Sequence, residues 1–275
     1  MKPHVVSIGR LRLANNRPLA LIAGPCALES ELLLMRVART LVALCGRMRV
    51  PLILKCSYDK ANRTSGRSFR GPGLEAARTI LARVRQTFRV PLLVDVHTAD
   101  EAAMAADVAD VLQIPAFLSR QTDLLLAAGR TGKPVNVKKG QFVSPWEIRH
   151  AVEKIESAGN RQVLLTERGA MFGYQNLIVD MRSLEIMKRT GCPILLDATH
   201  ACQMPGSGGD RTGGAREFVP ALARAGAAVG LAGLFMEVHP DPARAKSDAA
   251  TQWPLHRLGE VLDDVLRIDR VVKTR

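Results

Sequence analysis

Short, β-rich apolar runs recur along the chain at Leu19–Ala23, Leu52–Lys55, Leu92–Asp95, Val111–Ile114, Pro134–Val137, Val163–Thr166, Ile194–Asp197 and Leu231–Glu237. Their apolar character is continuous rather than alternating, which marks strands buried on both faces, as in a parallel sheet covered by helices. Between most of them, hydrophobic positions fall at helical spacing: Glu31–Arg49, Leu74–Phe88, Ala99–Val108, Thr122–Thr131, Pro145–Ser157, Met181–Thr190 and Arg216–Ala225. A last helical stretch, Leu255–Val272, follows the final strand. Proline punctuates the changeovers at Val50-Pro51, Val90-Pro91, Lys133-Pro134 and Cys192-Pro193; it ends one helix and opens the next extended segment. Eight such units predict an α/β fold closed into a (β/α)8 TIM barrel. The alternative, an open doubly wound sheet, lacks the GxGxxG that would follow its first strand. The opening MKPHVVSIGRLRL alternates apolar and polar residues, which predicts a hairpin extension within residues 1–18. No linker or break in composition interrupts the pattern, so residues 1–275 are expected to form one domain.

The composition narrows the class. The chain has 275 residues, of which 47% are apolar, enough for a barrel of about 250 residues. No window offers the roughly 18 uninterrupted apolar residues of a membrane span, and the N-terminus has no signal-peptide pattern. The five cysteines, Cys26, Cys45, Cys56, Cys192 and Cys202, are odd in number and lack CxxC spacing. That favours reduced thiols in a cytoplasm over a disulfide framework. The net charge of +13 suits nucleic acid, anionic small molecules or merely a basic surface. Aromatic residues amount to only 4%, and the arginines are dispersed, so platforms for nucleic acid are scarce. The expectation is no nucleic-acid and no membrane partner.

Catalytic groups of a TIM barrel sit at the C-terminal ends of its strands, and every predicted end here is polar, ionisable or thiol-bearing. In chain order they supply Cys26; then Lys55, Lys60, Asn62 and Arg63; then Asp95 and His97; then Gln113. Lys138 and Lys139 follow, then Glu167 and Arg168, then Asp197, His200 and Gln203, and finally Glu237, His239 and Asp248. Crowding Lys55, Lys60, Arg63, Lys138 and Arg168 into one cleft is costly unless anions bind there; phosphates and a carboxylate are the natural partners. Arg67 and Arg70 read as ordinary loop charges. Cys26, His200, Glu237 and Asp248 make a mixed soft and hard ligand set suited to zinc, iron or manganese rather than magnesium or calcium. Cys202 and His239 are close enough in sequence to be rival ligands.

Long blocks then carry a resemblance: IAGPCALES, KANRTS, DVHTADEA, LQIPAFLSRQTDLL, VNVKKGQF, LTERGAMFGYQNLIVDMRSL, LLDATHACQ and GLFMEVHPDP, in this order. Together they resemble the 3-deoxy-D-manno-octulosonate 8-phosphate synthases, also called 2-dehydro-3-deoxyphosphooctonate aldolases. The related 3-deoxy-arabino-heptulosonate 7-phosphate synthases share the GPC segment but typically carry KPRT where this chain has KANRT. The resemblance implies a TIM barrel that condenses phosphoenolpyruvate with D-arabinose 5-phosphate and water and releases phosphate. It implies that Lys55, Ser57, Lys60, Gln113, Lys138 and Arg168 hold phosphoenolpyruvate, and that Asn62 and Arg63 contact the sugar phosphate. Asp95 and Gln203 are then nearer the aldehyde and hydroxyls. Cysteine in the GPC position implies the metal-dependent branch, with Cys26, His200, Glu237 and Asp248 as ligands of a divalent ion. Cys26, Lys60, His200 and Asp248 are the expected catalytic residues. The resemblance further implies a homotetramer, a cytoplasmic location and a place in lipopolysaccharide precursor synthesis. VSPWEIR after KGQF and the glycine-rich GGDRTGG depart from the pattern without touching these residues.

Overall fold

A computed structural model describes residues 4–63, 65–208 and 211–274. Eight parallel strands form its centre: β1 (Ala20–Gly24), β2 (Leu52–Lys55), β3 (Leu92–Asp95), β4 (Val111–Ile114), β5 (Val135–Lys138), β6 (Val163–Glu167), β7 (Ile194–Asp197) and β8 (Gly233–His239). Each strand pairs with its sequence neighbours, and β8 pairs with both β7, through Leu195 and Gly233, and β1, through Gly233 and Ala20. The sheet therefore closes on itself as a TIM barrel. Every residue of these strands is buried, which explains why their sequences read as unbroken apolar runs.

The helices α1 (Glu31–Met48), α2 (Leu74–Phe88), α3 (Ala99–Val108), α4 (Thr122–Arg130), α5 (Arg149–Ser157), α6 (Met181–Lys188), α7 (Val219–Val229) and α8 (Leu258–Lys273) follow the strands in turn. Their apolar stripes meet the outward-facing strand residues in one large core. Local chemistry sets their limits. Ser30 caps α1 by accepting the Leu33 N–H, and Thr98 caps α3 by accepting that of Glu101. The expected starts of two C-terminal helices move inward, because short 3-10 turns, Arg216–Phe218 and Leu255–Arg257, precede α7 and α8. β5 begins after Pro134 rather than on it, since proline has no N–H for the ladder.

Inside the barrel a second core stacks Ile22, Ile53, Leu93, Val111, Leu164, Leu195 and Phe235 upon Val6, Ile8 and Leu13. The last three belong to the N-terminal hairpin, Val6–Ile8 paired antiparallel with Leu11–Leu13. Ser7 donates its N–H to Gln162 just before β6, and Asn15 bonds Cys192 and Ile194 at the start of β7. The hairpin therefore plugs the N-terminal mouth and leaves the C-terminal mouth as the open one. Past β7, Gln203–Gly208 and Arg211–Gly214 form a ribbon over that mouth; Gly209 and Asp210 of the glycine-rich segment lie outside the described residues. Among the described residues, no helix is long and apolar enough to cross a membrane.

Candidate active site

The open mouth holds a cavity of about 860 Å³, lined by Lys55, Lys60, Asn62, Arg63, Asp95, Gln113, Lys138, Arg168, His200, Gln203, Glu237 and Asp248. Apart from Cys26 and Ser57, these are all the residues to which the resemblance gives a role; of the other strand-end residues His97 also lines the cavity, whereas Lys139, Glu167, Asp197 and His239 do not. Ser57 and Cys26 lie directly behind the wall, bonded to Asp95 and to Asp248 respectively.

Cations and carboxylates interlock across the floor. Lys55, 1% exposed, donates to Glu237 Oε1 at 2.5 Å and to the carbonyl of Cys26 at 2.9 Å. Lys60 lies 3.8 Å from Asp95 Oδ2 and 3.9 Å from Glu237 Oε1. Lys138 bonds Asp197 and sits 3.3 Å from the centre of the Phe235 ring. Arg168 bonds the Gln203 side-chain oxygen, and Gln203 in turn donates to Asp248 Oδ1 at 2.7 Å. A row of amides fixes the neighbouring strand ends: Gln113 donates to Asp95 Oδ1, Asn136 to Gln113 at 2.8 Å, and Thr166 to Asn136 at 2.8 Å. The crowding of positive charge is thus answered partly from within, because Asp95, Asp197, Glu237 and Asp248 face Lys55, Lys60, Lys138 and Arg168. The surplus lies at the rim, on Arg63, Arg67, Arg244 and Lys246.

These pairings override burial for the acids. Burial opposes ionisation of Glu237, yet His200, Lys55 and Lys60 hold its carboxyl far below the usual range. Asp197 is held well below its ordinary value against burial by His200 and Lys138. For Lys138 and Arg168 the balance is reversed: burial lowers both, and the nearby carboxylates only partly compensate. Cations that burial disfavours are poised to gain from a bound anion.

Four buried polar atoms of residues lining this cavity have no hydrogen-bond partner among the described residues: His97 Nδ1, Gln141 Oε1, Arg168 Nη1 and Glu237 Oε2. Unsatisfied buried groups are rare enough to need an explanation. Glu237 Oε2 lies in a suggestive setting. Cys26 Sγ, a Glu237 oxygen and an Asp248 oxygen fall within 4.8 Å of one another. His200 Nε2 stands 3.4 Å from Glu237 Oε2 and 4.0 Å from Asp248 Oδ2. Cys26 Sγ lies 3.0 Å from Asp248 Oδ2, to which its single S–H can donate, and 2.8 Å from Ser247 Oγ. Burial and the charge of Glu237 push its thiol well above the ordinary value, so a dication is the partner that would favour the thiolate. Asp248 adopts φ +47° without being glycine, a strained conformation of the kind found at functional sites. One sulfur, one imidazole nitrogen and two carboxylates with an orphaned oxygen between them fit a borderline divalent ion. The rivals do not join this group: Cys202 Sγ bonds the Ala198 carbonyl at 3.4 Å, and His239 faces Glu29 at 3.7 Å.

The sequence reading also left residues out. Arg70 pairs with Asp59, as befits a loop charge, but Arg67 lines the cavity, as do Phe117, Arg244 and Lys246. Arg63 reaches the carbonyls of Phe69 and Lys246, joining the loop after β2 to that after β8. Nothing local in KANRTSGRSFR separates Arg67 from Arg70; only the path of the loop does.

A (β/α)8 barrel with basic and acidic side chains converging at its C-terminal mouth defines a class of enzyme, and comparison with known proteins narrows it. The sequence profile described as "DAHP synthetase I family" matches residues 5–271. A 2-dehydro-3-deoxyphosphooctonate aldolase of Acidithiobacillus ferrooxidans is 54% identical over 258 residues, which cover 94% of this chain and 92% of that protein. Aldolases of the same name from Syntrophotalea carbinolica and Xylella fastidiosa are 52% and 53% identical over 271 and 260 residues, covering 98% and 94% of both partners. The chain belongs to the DAHP synthetase I family, among its 2-dehydro-3-deoxyphosphooctonate aldolases.

Proposed function

We propose that this enzyme joins phosphoenolpyruvate to D-arabinose 5-phosphate, with water, to give 3-deoxy-D-manno-octulosonate 8-phosphate and phosphate. One observation carries the reading: a single cavity contains a buried guanidinium nitrogen without an acceptor and a buried carboxylate oxygen without a donor. The first asks for an anion and the second for a cation. Phosphorylated substrates and a divalent ion supply both.

Lys138 and Arg168 receive the phosphate of phosphoenolpyruvate, while Lys55 and Lys60, with Ser57 and Gln113, receive its carboxylate. Asn62 and Arg63 hold the sugar phosphate at the rim, and Asp95 and Gln203 face its aldehyde and hydroxyls. Two anions are thereby brought together by surrounding cations, and fixing them in register removes a share of the barrier, up to about 7–11 kcal/mol in intramolecular models. C3 of phosphoenolpyruvate attacks the aldehyde carbon, and positive charge develops at C2. Water adds at C2, and the resulting hemiketal expels phosphate by carbon–oxygen cleavage. Lys60 donates a proton toward the aldehyde oxygen, and Asp248 receives one from the attacking water. Cys26, His200, Glu237 and Asp248 would hold a zinc, iron or manganese ion, which would supply a Lewis acid and a lowered pKa for water. No covalent lysine adduct is required: Lys55 serves as a charge clamp, and Lys60 as a clamp that also gives up a proton.

The five free cysteines favour a reducing cytoplasm, and the product suits lipopolysaccharide precursor synthesis. The chain acts as one domain and assembles as a homotetramer. The test is a phosphate-release assay run with D-arabinose 5-phosphate and D-erythrose 4-phosphate side by side. Release is expected with the five-carbon sugar. Faster release with the four-carbon sugar shifts the reading to the seven-carbon synthase, and release with neither ends it.

A further inference from the structure

Asp197 closes β7 and is wholly buried. Its Oδ1 is occupied by the chain that follows: Thr199 N at 3.1 Å, Thr199 Oγ1 at 2.9 Å and His200 N at 2.8 Å. These three bonds fix the carboxylate in place. Its Oδ2 is shared between two side chains, one from the loop after β7 and one from β5. One is His200 Nδ1, at 2.6 Å, whose ring turns Nε2 toward Glu237 and Asp248. The other is Lys138 Nζ, which reaches over from β5. The same lysine lies 3.5 Å from His200 Nδ1, so the imidazole nitrogen and the ammonium compete for one oxygen. A single carboxylate oxygen therefore stands between the imidazole that faces the ion site and the ammonium assigned to the phosphate.

We propose that Asp197 is a positioning residue that couples ion binding to phosphoenolpyruvate binding. The inference rests on the functional reading above. An imidazole that donates its Nδ1–H to a carboxylate presents a more basic Nε2, a pairing that tunes metal-ligating histidines. When a phosphate draws Lys138 away from Oδ2, Asp197 gives its full charge to His200, and the ion is held more tightly. In the other direction, an ion on Nε2 strengthens the Nδ1–H bond to Asp197 and loosens the hold on Lys138, freeing the ammonium for phosphate. Linkage requires the two effects to be equal.

The test uses the full chain stripped of metal with a chelator. Mn²⁺ binding is followed by electron paramagnetic resonance, with and without saturating phosphoenolpyruvate and no aldehyde, so that no turnover occurs. Phosphoenolpyruvate is expected to tighten Mn²⁺ binding at least ~5-fold, and Mn²⁺ to tighten phosphoenolpyruvate binding by the same factor. In Asp197→Asn, which keeps an oxygen for the Thr199 and His200 donors, the factor is expected to fall toward one. A factor unchanged in that variant overturns the inference, because through-space attraction between ion and anion survives the amide. A second measurement needs no variant: in the zinc-loaded wild type, the His200 Nδ1–H proton resonance is expected to move downfield when phosphoenolpyruvate is added, and a stationary resonance overturns the inference. If both ligands bind the wild type independently, only this coupling fails. If either does not bind at all, the functional reading fails with it.

Discussion

At the scale of the residue, Cys26 shows what position alone can reveal. It follows β1 in the turn toward α1, where the barrel places its chemistry, and this much is visible in LIAGPCALES. The structure adds its partners: the sulfur sits against Asp248 and Ser247, and burial with Glu237 keeps the thiol protonated in the absence of a dication. Cys26→Ala removes the soft ligand while leaving a backbone held by the Cys26 N–H to Gln252. The expected outcome is that manganese or zinc retained after dialysis against chelator falls from about one ion per chain to near zero, with activity lost in step and far-UV circular dichroism unchanged. Wild-type turnover by that variant after chelation would remove the metal from the mechanism. Asp197 is the contrasting case. Its sequence context, DATH, gives no hint that a lysine on another strand shares its oxygen. That pairing arises only when the sheet closes.

At the scale of the element, the barrel was legible because its strands are buried on both faces and its helices on one, so each writes a different period into the chain. Several boundaries moved for local reasons: Pro134 has no N–H to donate to the ladder, α5 begins only at Arg149, and the chain makes a turn of 3-10 helix before α7 and α8. The loops were less legible, since Arg67 and Arg70 differ only in where the loop after β2 carries them. Glycine at the end of β1 is a packing requirement of the site itself. A Cβ on Gly24 would come 1.8 Å from the carbonyl oxygen of Lys55, on the adjacent strand. Gly24→Ala must therefore push β1 and β2 apart and displace Lys55, whose ammonium bonds the Cys26 carbonyl and Glu237. A loss of about 1–3 kcal/mol in chemical denaturation is expected, the usual cost of overpacking. A raised KM for phosphoenolpyruvate should accompany it. An alanine variant with wild-type stability and KM would show that the strands yield without disturbing the clamp.

At the scale of the whole molecule, the charge and the exposed aromatics tell different stories. The +13 of the chain is not concentrated on the cavity floor, where acids and bases face one another. Arg63, Arg67, Arg244 and Lys246 at the rim extend a positive field toward approaching phosphorylated substrates. The aromatic residues are unusual in being so scarce and yet so exposed. Phe117 is 54% exposed, Phe142 56%, Trp146 60% and Phe172 68%. They lie on the loops after β4, β5 and β6, three neighbouring strands. These loops touch: Met171 donates to the Gln141 carbonyl at 3.0 Å, and Gly140 packs against the carbonyl of Ala116. Apolar side chains gathered on adjoining loops are a marker of an interaction surface, and the homotetramer implied by the family resemblance gives it an occupant, further copies of the same chain. Light scattering is expected to return a mass near four times the 29.9 kDa of one chain. The double variant Phe142→Glu/Trp146→Glu places two carboxylates on this exposed apolar patch, so if the proposed tetramer forms through it the mass should fall while the barrel stays folded. Because Phe117 also lines the cavity, the smaller species should bind the sugar phosphate more weakly as well. A wild-type mass of one chain excludes the tetramer, and an undiminished mass in the double variant moves the contact to another face of the barrel.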